Sequence, residues 1–253
     1  MPSTVVLILL TANAFVAGFI NSIAGGGGLV TLPALLAVGL PPQLAIGTNK
    51  GQAVFGAFTS AAQYWRLESL DRERVALGFG AGFVGSWIGA RAMLAVPLGA
   101  MRVIAMVLLV VAAALALARR NVVAAPRPLS PRVARAALIG IALGLGAYDG
   151  FFGPGTGTML VIAFSTVFGD SLTRASGNAK IVNFASNLAA FATYLVHGTI
   201  LWRIALPMAV ANVIGSAAGA HVAVKNGDRL VRGVVLVVVL AVVLKLASDL
   251  ARG

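Results

Sequence analysis

The chain has 253 residues and no cysteine, which excludes disulfides, thiolate metal ligands and thiol nucleophiles. Its two histidines, His197 and His221, have no partners at metal-ligand spacing, so neither a metal nor any other cofactor is expected. Charge is scarce as well. Only 10 % of the residues are charged and only seven are acidic, far too few to cover the surface of a soluble domain of this length. With no histidine or cysteine near the glycine-rich segments described below, nothing stands ready to activate a nucleophile, and an enzyme is not expected.

What fills the chain instead is apolar. The hydrophobic fraction is 59 % and the mean hydropathy +0.96. The apolar residues come in runs of bilayer-spanning length, at 75–96, 103–118 and 234–247. A spanning helix needs about 20 such residues. This is the composition of an integral membrane protein.

The net charge of +12 invites a nucleic-acid reading, but the positions of the basic residues oppose it. Arg119, Arg120, Arg127, Arg132 and Arg135 crowd into one link, together with Pro126, Pro128 and Pro131. Basic residues gathered between apolar runs follow the positive-inside rule. The expected partners are therefore the lipid bilayer and a small solute, not nucleic acid, and a homo-oligomer is compatible with the sequence. Ser22-Ile23-Ala24 faintly resembles a signal-peptidase site. However, no basic segment precedes it and the stretch has a counterpart deep in the chain, so it is expected to belong to the fold.

That counterpart is part of an internal repeat. Ala45-Ile46-Gly47-Thr48-Asn49-Lys50 aligns with Ala175-Ser176-Gly177-Asn178-Ala179-Lys180 at an offset of 130. The same offset carries Tyr64 onto Tyr194, Gly85-Ser86 onto Gly215-Ser216, Gly89-Ala90 onto Gly219-Ala220 and Arg102 onto Arg232. Upstream an offset of 128 pairs Gly18 with Gly146, Asn21 with Asp149, Gly25 with Gly153 and Gly27 with Gly155. The pattern predicts two homologous halves, 1–120 and 136–253, joined by a cytoplasmic Arg/Pro-rich link at 121–135. Five apolar elements are expected in each, at about 4–22, 29–40, 46–65, 75–96 and 101–118, then 136–150, 158–168, 176–196, 204–222 and 230–248. The second element of each half is too short to span and follows a glycine-rich break. It reads as a half-helix or the returning arm of a re-entrant segment, the feature that marks binding sites in repeat-built transporters. The predicted fold is thus an all-α polytopic membrane protein, each half with about four spanning helices plus this short element. In the first half the link at 66–74 is the basic one, whereas in the second it is the link at 225–232. Such a switch of loops indicates an inverted repeat.

Two of the four lysines, Lys50 and Lys180, take equivalent places near the start of the third element of each half. They either snorkel from a helix end or face a polar cavity, since an ionisable group at membrane depth costs at least about 2.5 kcal/mol. Their neighbours favour the cavity: Thr48, Asn49 and Gln52 around the first, Asn178, Asn183 and Asn187 around the second. Lys180, Asn183 and Asn187 share one helical face. Asp149 is the remaining anomaly, at the end of an apolar run where its repeat partner is the neutral Asn21. Two readings stand side by side, a structural cap or lysine partner and a proton-coupling group. No catalytic residue is proposed. The breaks Gly25–Gly28 and Gly153-Pro154-Gly155-Thr156-Gly157 each lead into a new helix, whose free N–H groups and dipole attract anions. A small-anion site is therefore expected from Lys50, Lys180, Asn21, Asn49, Asn178, Asn183 and Asn187, with the backbone N–H groups of Gly26, Gly27, Gly155 and Thr156. Gly85/Gly89 and Gly215/Gly219 have the spacing of tight helix crossings.

Asn21-Ser22-Ile23-Ala24-Gly25-Gly26-Gly27-Gly28-Leu29, Pro33-Ala34-Leu35 and Gly47-Thr48-Asn49-Lys50 resemble the first-half signature of the sulfite exporter TauE/SafE family, also called the 4-toluene sulfonate uptake permease family. Gly150-Phe151-Phe152-Gly153-Pro154-Gly155-Thr156-Gly157 and Ala179-Lys180-Ile181-Val182-Asn183-Phe184-Ala185-Ser186-Asn187 resemble its second half, in the YfcA-like branch. The resemblance covers nearly the whole chain. It implies a multi-pass transporter of the bacterial inner membrane, with a sulfur-containing oxyanion such as sulfite or an organosulfonate as substrate. A secondary carrier is the expectation; a passive anion channel and a carrier of small carboxylates or other anionic metabolites are the alternatives.

Overall fold

A computed structural model describes residues 3–66, 70, 72–101, 103–105, 107, 108, 111 and 129–223. The fifth element expected at 230–248, most of that at 101–118, the basic stretch at 225–232 and the greater part of the Arg/Pro link lie outside the described residues. Every regular element among the described residues is helical. They are α1 (Thr4–Ala24), α2 (Gly28–Ala37), α3 (Pro42–Arg66), α4 (Arg72–Ala95), α5 (Pro131–Phe151), α6 (Thr156–Phe168), α7 (Leu172–Val196) and α8 (Trp202–Ala223), with a further helical segment at Leu98–Ala105.

Caps explain several boundaries. The Ser3 side chain accepts from the Val6 N–H at 3.4 Å, and that of Ser171 from the Arg174 N–H at 3.3 Å. Ser130 precedes Pro131, and Pro41 precedes Pro42, which puts a proline in the first helical position where its missing N–H costs nothing. These helices therefore begin four or five residues earlier than their apolar runs: 42, 131 and 172 against the expected 46, 136 and 176.

α1, α5 and α8 are long and apolar enough to cross a bilayer. α3 and α7 are longer, at 25 residues each, or about 37 Å at 1.5 Å per residue. They carry the polar stripe and bury it. Thr48, Asn49, Lys50 and Gln52 are buried in α3, and Asn178, Lys180, Asn183 and Asn187 in α7. Ile8, Leu9, Trp87, Ile88, Val210 and Ile214 are exposed, the inside-out distribution of a lipid-facing surface. α2 and α6, of 10 and 13 residues, are too short to span. Each turns back on the helix before it. Gly27 lies against Ala17 and Asn21 of α1, and the Tyr148 hydroxyl of α5 donates to the Pro154 carbonyl at 2.7 Å.

α4 packs closely on α5, and α8 on α1. A Cβ on Gly85 or Gly89 of α4 would overlap the carbonyls of Leu143 or Ala147 on α5. One on Gly215 or Gly219 of α8 would overlap those of Phe15 or Phe19 on α1. Small residues let the backbones meet at these crossings. The buried Tyr64 hydroxyl of α3 donates to the Ser22 carbonyl at 3.1 Å, and that of Tyr194 in α7 to the Gly150 carbonyl at 2.5 Å. Every one of these contacts maps onto its partner by the offsets of 128 and 130.

Candidate functional site

The two glycine-rich breaks meet at the centre of the molecule. Gly25 ends α1 with φ +79° and its backbone packs directly on that of Gly157, leaving no room for a Cβ on either. A left-handed φ and a backbone-to-backbone contact together require glycine here. Gly28 packs on Pro154 in the same way. Beside this crossing lies a small cavity of about 30 Å³, partly open to the outside, lined from α1, α2, α3, α5, α7, α8 and both breaks.

An ion pair forms its wall. Lys50 Nζ lies 2.9 Å from Asp149 Oδ1, and both side chains are 2 % exposed. Lys50 also donates to Asn187 Oδ1 at 3.3 Å. Asp149 Oδ2 accepts from the Ser186 hydroxyl at 2.6 Å and from Asn187 Nδ2 at 3.2 Å, so both carboxylate oxygens are engaged. Asn187 is held in turn by a third bond, donated to the Asn183 carbonyl at 2.8 Å. A charge pair this deep needs such satisfaction of its remaining hydrogen-bonding capacity, because desolvation otherwise outweighs the mutual attraction.

The equivalent lysine is arranged differently. Lys180 Nζ donates to the backbone carbonyl of Asn21, in the last turn of α1. The negative end of the α1 dipole suits an ammonium, but no carboxylate reaches Lys180 among the described residues. Lys180 itself does not line the cavity. Asn21 does, and stands between them.

The other cavity groups are mainly amides. Asn49 Oδ1 accepts from the Thr31 hydroxyl at 2.6 Å and from Gln52 Nε2 at 3.0 Å, which leaves the Asn49 Nδ2 donors for the cavity. The Asn183 side chain lines the cavity with no hydrogen-bond partner among the described residues, and Gln52 Oε1 is buried without one. Gly27 and Gly28 bring the N-terminus of α2 to the wall; the N–H groups of Leu29, Val30 and Thr31 are taken by the Gly26 and Gly27 carbonyls, so the helix dipole and the N–H groups before Leu29 are what it presents. The site thus offers one ion pair, several amides and a helix N-terminus around a small polar cavity.

Of the residues expected from sequence, Asn21, Gly27, Asn49, Lys50, Asp149, Asn183 and Asn187 come together on this wall. Gly26, Gly155, Thr156, Asn178 and Lys180 do not line it. Thr156 donates its hydroxyl to the Gly153 carbonyl at 2.8 Å, fastening the second break. Asn178 donates to Asp170 Oδ2 at 2.9 Å, in a separate cluster where Arg74 Nη1 reaches both Asp170 oxygens at 3.2 and 3.3 Å. The sequence reading missed Thr31 and Asn212. Thr31 is a lone polar residue in the apolar α2; Asn212 bonds to Ser216 within α8 and donates to the Ala14 carbonyl at 3.3 Å, and so reads as a helix-packing group.

The family model described as sulfite exporter TauE/SafE matches residues 10–246. A "probable membrane transporter protein" of Haemophilus influenzae is 34 % identical over 96 % of this chain and 95 % of its own length. One of Sinorhizobium, ORF9, is 33 % identical over 96 % and 93 %. A third, YfcA of Escherichia coli K12, is 32 % identical over 98 % and 92 %. No solved structure matches significantly.

Proposed function

The chain belongs to the sulfite exporter TauE/SafE family, and on that premise we propose that it is a secondary carrier, not an enzyme, that moves a small sulfur-containing oxyanion such as sulfite or an organosulfonate. Family and apolar spans together make it a multi-pass bacterial membrane protein, and we assign it to the inner membrane. The observation that carries the reading is the Lys50–Asp149 pair, buried beside a cavity where two broken helices meet. Ionisable groups at membrane depth mark solute pathways, and broken helices at matching positions mark their binding sites.

In this reading the oxyanion takes the remaining Lys50 donor, the amides of Asn21, Asn49 and Asn183, and the N-terminus of α2 around Gly27 and Gly28, with Gly26 shaping the break behind them. Many donors facing a tetrahedral or pyramidal anion is the favourable arrangement. Asn187 orients the ion pair, and Lys180 adds positive potential through Asn21. Gly155 and Thr156 shape the second break, while Asn178 steadies the start of α7. Asp149 is the proton-coupling group: protonation frees Lys50 to hold the cargo. Asn183→Ala tests the site most cleanly, because that amide has no structural partner to lose. Sulfite flux into vesicles should fall with the fold intact, and unchanged flux would sink the assignment. Unsaturable flux without proton coupling would identify a passive channel instead. A thermal-shift screen across sulfite, sulfate, thiosulfate, sulfonates and small carboxylates separates the candidate cargoes.

Alternating access would follow from one half rocking on the other. The swapped contacts of Gly85/Gly89 and Gly215/Gly219, the two tyrosine anchors and the two lysine contacts, all related by the same offsets, support the halves as structural repeats. The inverted arrangement is supported by the switch of the basic link, from 66–74 in the first half to 225–232 in the second. Since the chain has no native cysteine, single cysteines at Ser3 and Ser130 report this directly. Labelling from opposite faces is expected; labelling from the same face rejects the inversion.

A further inference from the structure

The matched lysines differ in their counter-charges, and that difference sets the charge of the cargo. Lys50 is neutralised by Asp149 at 2.9 Å. At the equivalent place Lys180 meets Asn21, which supplies a carbonyl and no charge. The buried formal charges at the cavity therefore leave one positive charge over. An uncompensated charge at membrane depth is costly, and a single anionic charge in the cavity would cancel it. Two would reverse the sign and set the cargo against the Asp149 carboxylate, a like-charge arrangement that excludes ligands effectively.

We infer that the occupied site admits one net negative charge: a monoanion while Asp149 is ionised, and a dianion only together with a proton on Asp149. The proton comes from solution and binds the carboxylate, Lys50 keeps its ammonium, and no bond of the cargo changes. The charged and titratable groups facing Asp149 are Lys50 from α3 and the hydroxyls of Tyr148 and Tyr194, with the neutral Ser186 and Asn187 from α7. Lys180 acts from behind Asn21. The inference rests on the carrier reading above and adds the valence of the cargo to it.

Two probes decide it in vesicles holding the purified protein: methanesulfonate, a monoanion at every pH used, and sulfate, a dianion throughout. Methanesulfonate flux should exceed sulfate flux by about tenfold or more at neutral pH, as expected where like charges meet. The sulfate-to-methanesulfonate ratio should rise as pH falls, because the dianion enters only with a proton. Asp149→Asn should raise the ratio by about tenfold and make it independent of pH. Asn21→Asp, which gives Lys180 its own counter-charge, should cut methanesulfonate flux by about tenfold. Equal flux of both anions at all pH, or a ratio unmoved by Asp149→Asn, overturns the valence rule and leaves the carrier standing. No flux of either anion overturns both. The wild-type ratio and its pH dependence need no variant, so a poorly folding Asp149→Asn does not protect the inference.

Discussion

Among the described residues two charged clusters, one at the centre and one toward the rim, differ in how they are buried and paired. At the centre, Lys50 and Asp149 are each 2 % exposed and border a cavity. Toward the rim, Arg74 and Asp170 are 28 % and 5 % exposed, with Arg174 Nε 3.9 Å from the same carboxylate and the Arg74 guanidinium 4.6 Å above the Phe168 ring. The central carboxylate has one cation and the rim carboxylate two, one of them further held by an aromatic face. A pair of the first kind is a poor source of stability, because desolvation consumes its attraction. A pair of the second kind ties the start of α4 to the turn between α6 and α7, with water still near. In the proposed carrier the centre carries charge for a solute. The rim carries charge that fastens helices.

The largest expected effect of breaking this contrast is at Lys50. Lys50→Ala strands a buried carboxylate, a change that costs about 3–5 kcal/mol where one partner of a buried pair is removed. The measurement is thermal or denaturant unfolding in detergent alongside vesicle flux. The double change Lys50→Met with Asp149→Leu should recover most of the stability, because apolar replacements of a buried pair are often neutral, yet leave flux absent. Recovery of both would make the pair a structural element like the rim.

A smaller effect is expected from glycines placed at centre and rim. Gly25 and Gly39 both have positive φ, at +79° and +85°. Nothing lies within 4 Å of a Cβ built on Gly39, whereas one on Gly25 would be driven into the Gly157 backbone. Gly39→Ala therefore costs only the left-handed strain, about 1 kcal/mol. Gly25→Ala adds overpacking of about 1–3 kcal/mol and pries the breaks apart, so flux should fall with it alone. Equal effects at the two positions would mean that the crossing of the breaks is not tightly packed.

The same contrast explains how much was legible in the sequence. Lys50, Asp149 and Asn187 stood out because a polar group in an apolar run is costly wherever it ends up. Their pairing did not, since Lys50 and Asn187 are 137 residues apart and only the fold brings them together. Lys180 shares a helical face with Asn183, yet it turns onto the end of α1 while Asn183 faces the cavity; spacing assigns a face, and packing decides what that face meets. Asn178 was read as part of the site because it sits in the repeat motif, but Asp170 eight residues earlier claims its amide. Helix starts were misplaced at α3, α5 and α7 for a nearer reason. The proline and serine caps were in view, but an apolar run is not where a helix begins.

The smallest effect should come from the rim. Arg74→Gln removes the guanidinium but keeps a long polar side chain, and Arg174 remains for Asp170. Partly exposed ion pairs contribute about 0–1 kcal/mol, and the cation–π contact adds about 0.5–1 kcal/mol at such a site. A loss of about 1 kcal/mol in unfolding free energy, with flux within about twofold of wild type, is therefore expected from those two contributions. High salt should remove much of the stability difference between wild type and Arg74→Gln, because screening acts on the half-exposed pair, while leaving the Lys50→Ala deficit unchanged. If Arg74→Gln abolished flux without loss of stability, the rim cluster would belong to the transport cycle, as a contact that opens and closes between the halves, and the division between a working centre and a fastening rim would fail.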